Sequence, residues 1–144
     1  MKGRVLIIAL MTFSCVSSLF HSSAQEPAVN VNLNEKLLAS IPGELDLKTW
    51  AVSPDGTRVA YVAKKGLKQF VVLDGTKGEE YDEVDYFPRF SLNGKRFGFF
   101  GKERDKWFAV IDGVKGKGFE KVGYLSFSPD SKRVVYMAWN QGKN

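Results

Sequence analysis

Serines, aspartates and arginines recur along this chain at a fixed distance, and they are the first residues to test for chemistry. Ser53, Ser91 and Ser128 lie 38 and 37 residues apart, and Arg58, Arg96 and Arg133 each follow their Ser by five. A serine nucleophile needs a base, usually His. His21 is the one His of the 144 residues and Cys15 the one Cys, and both lie near the N-terminus. A Cys-based zinc site and an intramolecular disulfide are excluded by that count. Paired carboxylates serve glycoside hydrolysis, and Asp55, Asp74, Asp112 and Asp130 qualify by type. All four stand in turn motifs that recur, where Asp bonds its own backbone. One active site needs no copy in every repeat, so recurrence points to structure.

The remaining chemistry is thin. Glu79, Glu80, Asp82, Glu83 and Asp85 could offer oxygen ligands to Mg or Ca. A solvated strand of alternating charge explains them as well. The matching stretch of the next repeat, Lys117 to Lys121, is basic, so acidity is not a property of the repeat. The three arginines could line one face and attract an acidic partner. Packing of the stem and pairing with a turn Asp suits a repeated position better. Trp50, Trp107 and Trp139 hold unrelated places in the repeat, and an aromatic content of 13% in a β protein is chiefly core. Carbohydrate binding by surface Trp and Tyr stays open. No Gly-x-x-x-x-Gly-Lys-Ser/Thr phosphate loop is present. The reading is therefore of no enzyme, no catalytic residue, no cofactor and no metal.

The elements that carry these residues follow from the repeat. Trp50–Tyr61, Pro88–Phe99 and Leu125–Tyr136 align, each with a turn around its Ser. Phe70-Val71-Val72-Leu73-Asp74-Gly75 matches Phe108-Ala109-Val110-Ile111-Asp112-Gly113 at the same spacing of 38. Two independent motifs share one period, which marks a repeat architecture. In the first copy, Trp50–Val52, Arg58–Ala63 and Phe70–Leu73 read as strands rich in apolar and β-branched residues. Ser53-Pro54-Asp55-Gly56, Lys64-Lys65-Gly66 and Asp74 through Gly78 read as turns. Glu79–Asp85 reads as an outer, more polar strand, with Tyr81 and Val84 as its apolar contacts. Phe119 and Val122 take those places in the second copy. Four short strands at a period near 40 describe a propeller blade. A β-sandwich is the competing architecture, and the duplicated Asp-Gly turns argue against it.

The Ser-Pro-Asp-Gly/Ser-x-Arg-Val-x-Tyr pattern resembles the WD-repeat-like β-propeller repeat of TolB-type periplasmic proteins. The resemblance covers residues 48–144, and Leu92-Asn93-Gly94 departs from it while keeping turn chemistry. It implies an all-β fold of four-stranded antiparallel blades, about two and a half repeats of an incomplete propeller. The blades expected are 48–86 and 87–124, with a partial blade over 125–144.

The N-terminal region is of another kind. Lys2 and Arg4 precede an apolar run from Val5 to Phe13, and Ser22-Ser23-Ala24 follows. That is the pattern of a secretory signal peptide over residues 1–24. The run is too short to span a membrane, which takes about 20 residues. A lipoprotein signal ending at Cys15 is the alternative, and Thr12 and Phe13 suit it poorly. Cleavage after Ala24 would remove Cys15, His21, Lys2 and Arg4, taking the net charge from +5 to +3. With no Lys/Arg-rich block, that charge is no nucleic-acid footprint. Residues 25–47 read as an N-terminal strand or linker, Val29–Leu33 alternating with period two and Asn34–Ser40 able to form one or two helical turns.

The expectation is a periplasmic or secreted module that binds an envelope protein or peptide, without nucleic acid or a membrane span. The alternative is the accessory propeller of a larger, prolyl-oligopeptidase-like hydrolase whose catalytic domain lies elsewhere. A Gly-x-Ser-x-Gly elbow in further sequence would favour the hydrolase. The last residue, Asn144, stands sixteen after Ser128, as Gln69 stands sixteen after Ser53. On this phase the chain reads as an N-terminal fragment, and open sheet edges would favour self-association.

Overall fold

The computed structural model describes residues 5–9, 36–41, 46–85 and 87–140, with side chains from Thr49 onward. Val29–Leu33 and the cleavage point after Ala24 lie outside the described residues. Every described element is a strand. In chain order they are β1 (Val5–Ala9), β2 (Lys36–Ile41), β3 (Asp46–Val52), β4 (Val59–Lys65), β5 (Lys68–Leu73), β6 (Thr76–Tyr81) and β7 (Glu83–Val84). There follow β8 (Arg89–Phe90), β9 (Phe97–Glu103), β10 (Lys106–Ile111), β11 (Val114–Phe119), β12 (Lys121–Phe127) and β13 (Val134–Trp139).

All pairings are antiparallel. The first large sheet runs β3-β4-β5-β6 in chain order. The second runs β11-β10-β9, and the short strands β7 and β8 share the far edge of β9. β12 and β13 form a two-stranded sheet, as do β1 and β2. Register repeats with order. Val52 opposes Val59, Phe90 opposes Phe97 and Phe127 opposes Val134. The chain is thus all-β, in antiparallel sheets of four, five and two strands.

Two sequence readings need correction. Glu79–Asp85 is not one outer strand. Thr76–Tyr81 closes the first sheet, the chain turns at Asp82, and Glu83–Val84 opens the second by pairing with β9. Tyr81 and Val84 are both buried. Three residues apart, they could not share one face of a strand of period two. The turn satisfies both requirements, and the Asp82 N–H donates to the Lys102 carbonyl at 2.9 Å to fix it. Nor are Lys36–Ser40, within the stretch Asn34–Ser40, helical, since Lys36–Ile41 is a strand paired with β1. Pairing across strands overrides a weak local helical preference over so short a stretch.

The interior lies between sheets. Ala60, Val62, Val71 and Tyr81 of the first sheet meet Val84, Phe97, Phe99 and Val110 of the second. Phe100 and Ala109, on the opposite face of the second sheet, meet Leu125 with Val122, Phe127, Val134 and Tyr136 around it. Strands β4 and β9 serve both of their faces, so they read as nearly continuous apolar runs. Burial of a Phe or Val at such a junction contributes about 1.5–3 kcal/mol. The two junctions are copies in detail. Tyr81 meets Phe99 edge-on with centroids 5.8 Å apart, and Phe119 meets Tyr136 in the same manner at 6.4 Å.

Candidate functional site

The recurring Ser and Asp build turns. In the first turn Ser53 N–H donates to the Arg58 carbonyl at 3.0 Å, and the Arg58 N–H returns to Ser53 Oγ at 3.0 Å. Ser53 Oγ donates to Asp55 Oδ1 at 2.5 Å, which also accepts the Thr57 N–H at 3.1 Å. Ser91 with Asn93, and Ser128 with Asp130, reproduce each of these bonds. Asn93 in place of Asp keeps the accepting oxygen, which is why the second copy tolerates the change. The left-handed position of the turn is filled by Gly56 (φ 67°), Gly94 (φ 69°) and Ser131 (φ 60°). Ser131 compensates by accepting the Asn93 N–H on its Oγ at 3.1 Å, tying the third turn to the second. Hydrogen bonds from Ser53 and Thr57 hold the Asp55 carboxyl below the ordinary carboxylate range. Ser128 and the Lys132 N–H do the same for Asp130. These hydroxyls and carboxylates are occupied with one another.

The Arg and hairpin Asp build the joints between sheets. Asp74-Gly75 and Asp112-Gly113 are two-residue turns with positive φ at both residues, the type I′ geometry for which Asp-Gly is suited. Asp74 Oδ1 accepts the Val59 N–H at 3.0 Å and Oδ2 accepts Arg58 Nε at 2.8 Å. Arg58 Nη1 then reaches the carbonyls of Gly94 and Lys95 in the next turn, both at 3.1 Å, and its guanidinium covers Phe90. Arg96 repeats the arrangement with Asp112, the Lys132 carbonyl and Phe127. Pairing with a turn Asp was legible in the sequence; the reach into the following repeat was not. Arg133 is the third of the series. Its guanidinium has no acidic partner among the described residues.

The acidic stretch is drawn into ion pairs. Glu80 meets Lys77 at 2.6 Å, Asp82 meets Lys68 at 2.7 Å, and Glu79 and Glu83 face Lys115 and Lys102. Among the described residues no group of three or more His, Cys, Asp or Glu converges on a point that could hold a metal. A cleft of about 470 Å³ opens between the first two sheets, lined by Arg58, Leu73, Lys77, Tyr81, Phe97 and Val110. Burial, then the Glu79 charge, pushes the Tyr81 hydroxyl up, so it stays protonated and donates to Glu79 at 3.2 Å. In this cleft Asp74 pairs with Arg58 and Lys77 with Glu80.

The remaining feature is a surface. On β13 alternate residues Val135, Met137 and Trp139 are 60%, 53% and 50% exposed. Their counterparts on β4 and β9 are Ala60, Val62 and Lys64, and Gly98, Phe100 and Lys102, of which Val62 and Phe100 are buried in the two junctions. The third sheet therefore turns outward the face that the first two cover. Trp139 leans on Gly123, where a Cβ would lie 3.6 Å from its ring. Sequence reasoning passed over this row, although Trp139 stands where earlier copies carry Lys. No helix among the described residues is long and apolar enough to cross a membrane. Set beside protein-family models, curated proteins and solved structures, the chain matches none.

Proposed function

We propose that this chain is an exported, non-enzymatic repeat module whose sheets are blades of an incomplete β-propeller, and that it binds another protein of the cell envelope. The observation that carries the reading is the exposed row Val135, Met137 and Trp139 on β13. Contiguous apolar surface of this kind marks interaction sites. The placement in the envelope rests on the leader-like residues 1–24 and on the resemblance to TolB-type repeats.

The test is retention of envelope proteins on the immobilised chain. A specific protein is expected to be retained by the native chain and lost with Met137→Glu, whose circular dichroism should match the native chain. Retention of nothing, or retention indifferent to Met137→Glu, overturns the reading. Export is tested separately by sequencing the N-terminus of the product outside the cytoplasm. It should begin at Gln25, and an intact Met1 there would remove the leader.

A further inference from the structure

We propose that Asn93-Gly94 is a site of non-enzymatic deamidation, which the folded second turn holds in check and whose isoaspartyl product breaks the Arg58 joint between the first two sheets. The chemistry needs no partner protein. Asn93 is the one Asn of the chain followed by Gly. Asn is a thermolabile residue, and most so before Gly, whose missing Cβ leaves the following nitrogen unhindered. The Gly94 nitrogen attacks Asn93 Cγ. A bond forms between them, the Cγ–Nδ2 bond breaks, and ammonia leaves carrying the Gly94 proton. Water then opens the cyclic imide at either carbonyl and leaves aspartate or isoaspartate at position 93. Water is the co-reactant, and nothing is oxidised or reduced.

The folded turn opposes each part of the first step. The Gly94 N–H, whose proton must leave, donates to the Ser91 carbonyl at 2.9 Å. Asn93 Oδ1 accepts Ser91 Oγ at 2.8 Å and the Lys95 N–H at 3.1 Å, which fixes the carboxamide. The Asn93 N–H is tied to Ser131 Oγ of the third turn at 3.1 Å. On the side of the first turn, both Asp55 carboxylate oxygens lie 3.1 Å from where a Cβ of Gly94 would stand. Negative charge so close disfavours a deprotonated Gly94 nitrogen. Gly94 is buried between these neighbours, so reaction waits on local opening of the turn. The two products then differ. Aspartate is what the first and third turns already carry at this place, with the same bonds from Ser53, Thr57, Ser128 and Lys132. Isoaspartate runs the main chain through the side-chain carbon and lengthens it by a methylene. The bond from Gly94 N–H to Ser91 is lost, and the carbonyls of Gly94 and Lys95 are displaced. Those two carbonyls receive Arg58 Nη1, both at 3.1 Å. A lesion in one turn is thereby passed to the joint between two sheets.

The test follows the whole chain at neutral and mildly alkaline pH, folded and in urea. Peptide maps read the amide-to-acid mass change and the isoaspartyl fraction at position 93. Conversion in urea should outpace conversion in the folded chain by more than about tenfold, the ratio being set by the free energy of opening. Ser91→Ala removes a bond from the carboxamide and should speed folded-chain conversion about threefold to tenfold. Should that variant fail to fold, conversion in the native chain should still rise with urea below the unfolding midpoint. No conversion in urea removes the site. Equal rates folded and unfolded, or a folded rate indifferent to Ser91→Ala and to urea, overturn the shielding. Isoaspartyl chains isolated from either incubation test the joint. Asn93→Asp should keep the urea midpoint of the native chain, the isoaspartyl chain should unfold at lower urea, and Arg58→Gln should shrink that difference. Equal midpoints, or a difference that Arg58→Gln leaves intact, overturn the link to Arg58.

Discussion

The residues that look most like catalysts spend their hydrogen-bonding capacity on the backbone. Asp112 shows this most plainly, since one carboxylate serves the Phe97 N–H and the Arg96 guanidinium at 2.9 and 2.8 Å. Its φ of 52° is also one that Asn tolerates and Ala does not. Asp112→Ala should therefore cost about 1–3 kcal/mol, through the lost bonds and the strained turn together. Asp112→Asn should cost less. Urea unfolding of both variants checks the order, and an equal loss in the two would contradict it. The pair with Arg96 is partly solvated, so a double-mutant cycle should return a coupling of only about 0.2–1 kcal/mol. Acid sensitivity follows from the other two carboxylates. Asp55 and Asp130 titrate below 3.8 in the folded chain. Their contribution to stability is complete above the unfolded value and is lost as pH falls through the depressed one. Urea midpoints should therefore drop as pH falls below about 4, and Asp55→Asn should make that drop shallower. An unchanged slope would mean that the Ser53 and Thr57 bonds do not act on the titration. The turn roles of these residues were readable from recurrence alone. The reach of Arg58 and Arg96 into the following turn was not, because it is a fact about neighbours and not about spacing.

At the scale of strands, the limit on what the sequence could tell is the face a residue occupies. Apolar runs located β4, β5, β9 and β10 well, because strands covered on both sides advertise themselves. The polar strand β6 and the two-residue strands β7 and β8 did not, since their place depends on which sheet their edge joins. Tyr81 is the element that decides it. Its ring lies against the backbone of Gly101, where an added Cβ would sit 2.5 Å from the ring. The first sheet can approach the second at that point only because β9 carries glycine there. Gly101→Ala should consequently destabilise by about 1–3 kcal/mol, as overpacking does in closed interiors. Gly98→Ala makes the control. Its nearest obstruction is the terminal methyl of Ile111 at 2.8 Å, which can rotate aside. Thermal melts should show a clear loss for the first and a small one for the second. A reversal of that order would mean that the Tyr81 ring yields more readily than its burial suggests.

For the molecule as a whole, the repeated joint predicts a gradient of stability. Units that touch only their neighbours draw stability from each interface they share. The second sheet has two such interfaces, one with the first sheet and one with the β12–β13 hairpin. Among the described residues the hairpin has one, and its outward row is exposed. Amides of β4, β5, β9 and β10, buried on both faces, should therefore exchange slowest, and those of β12 and β13 fastest among the three units, by opening of the hairpin ahead of global unfolding. Leu125 is the test of the coupling. It is 5% exposed and is the hairpin's most buried apolar contribution to the second junction. Leu125→Ala should lower the opening free energy of β12 and β13 by about 2–4 kcal/mol. The first sheet, one junction removed, should keep the exchange rates of β4 and β5. Equal loss of protection in all three units would mean that the chain unfolds as one body. The hairpin would then be part of one rigid fold, and not a unit that opens ahead of the rest.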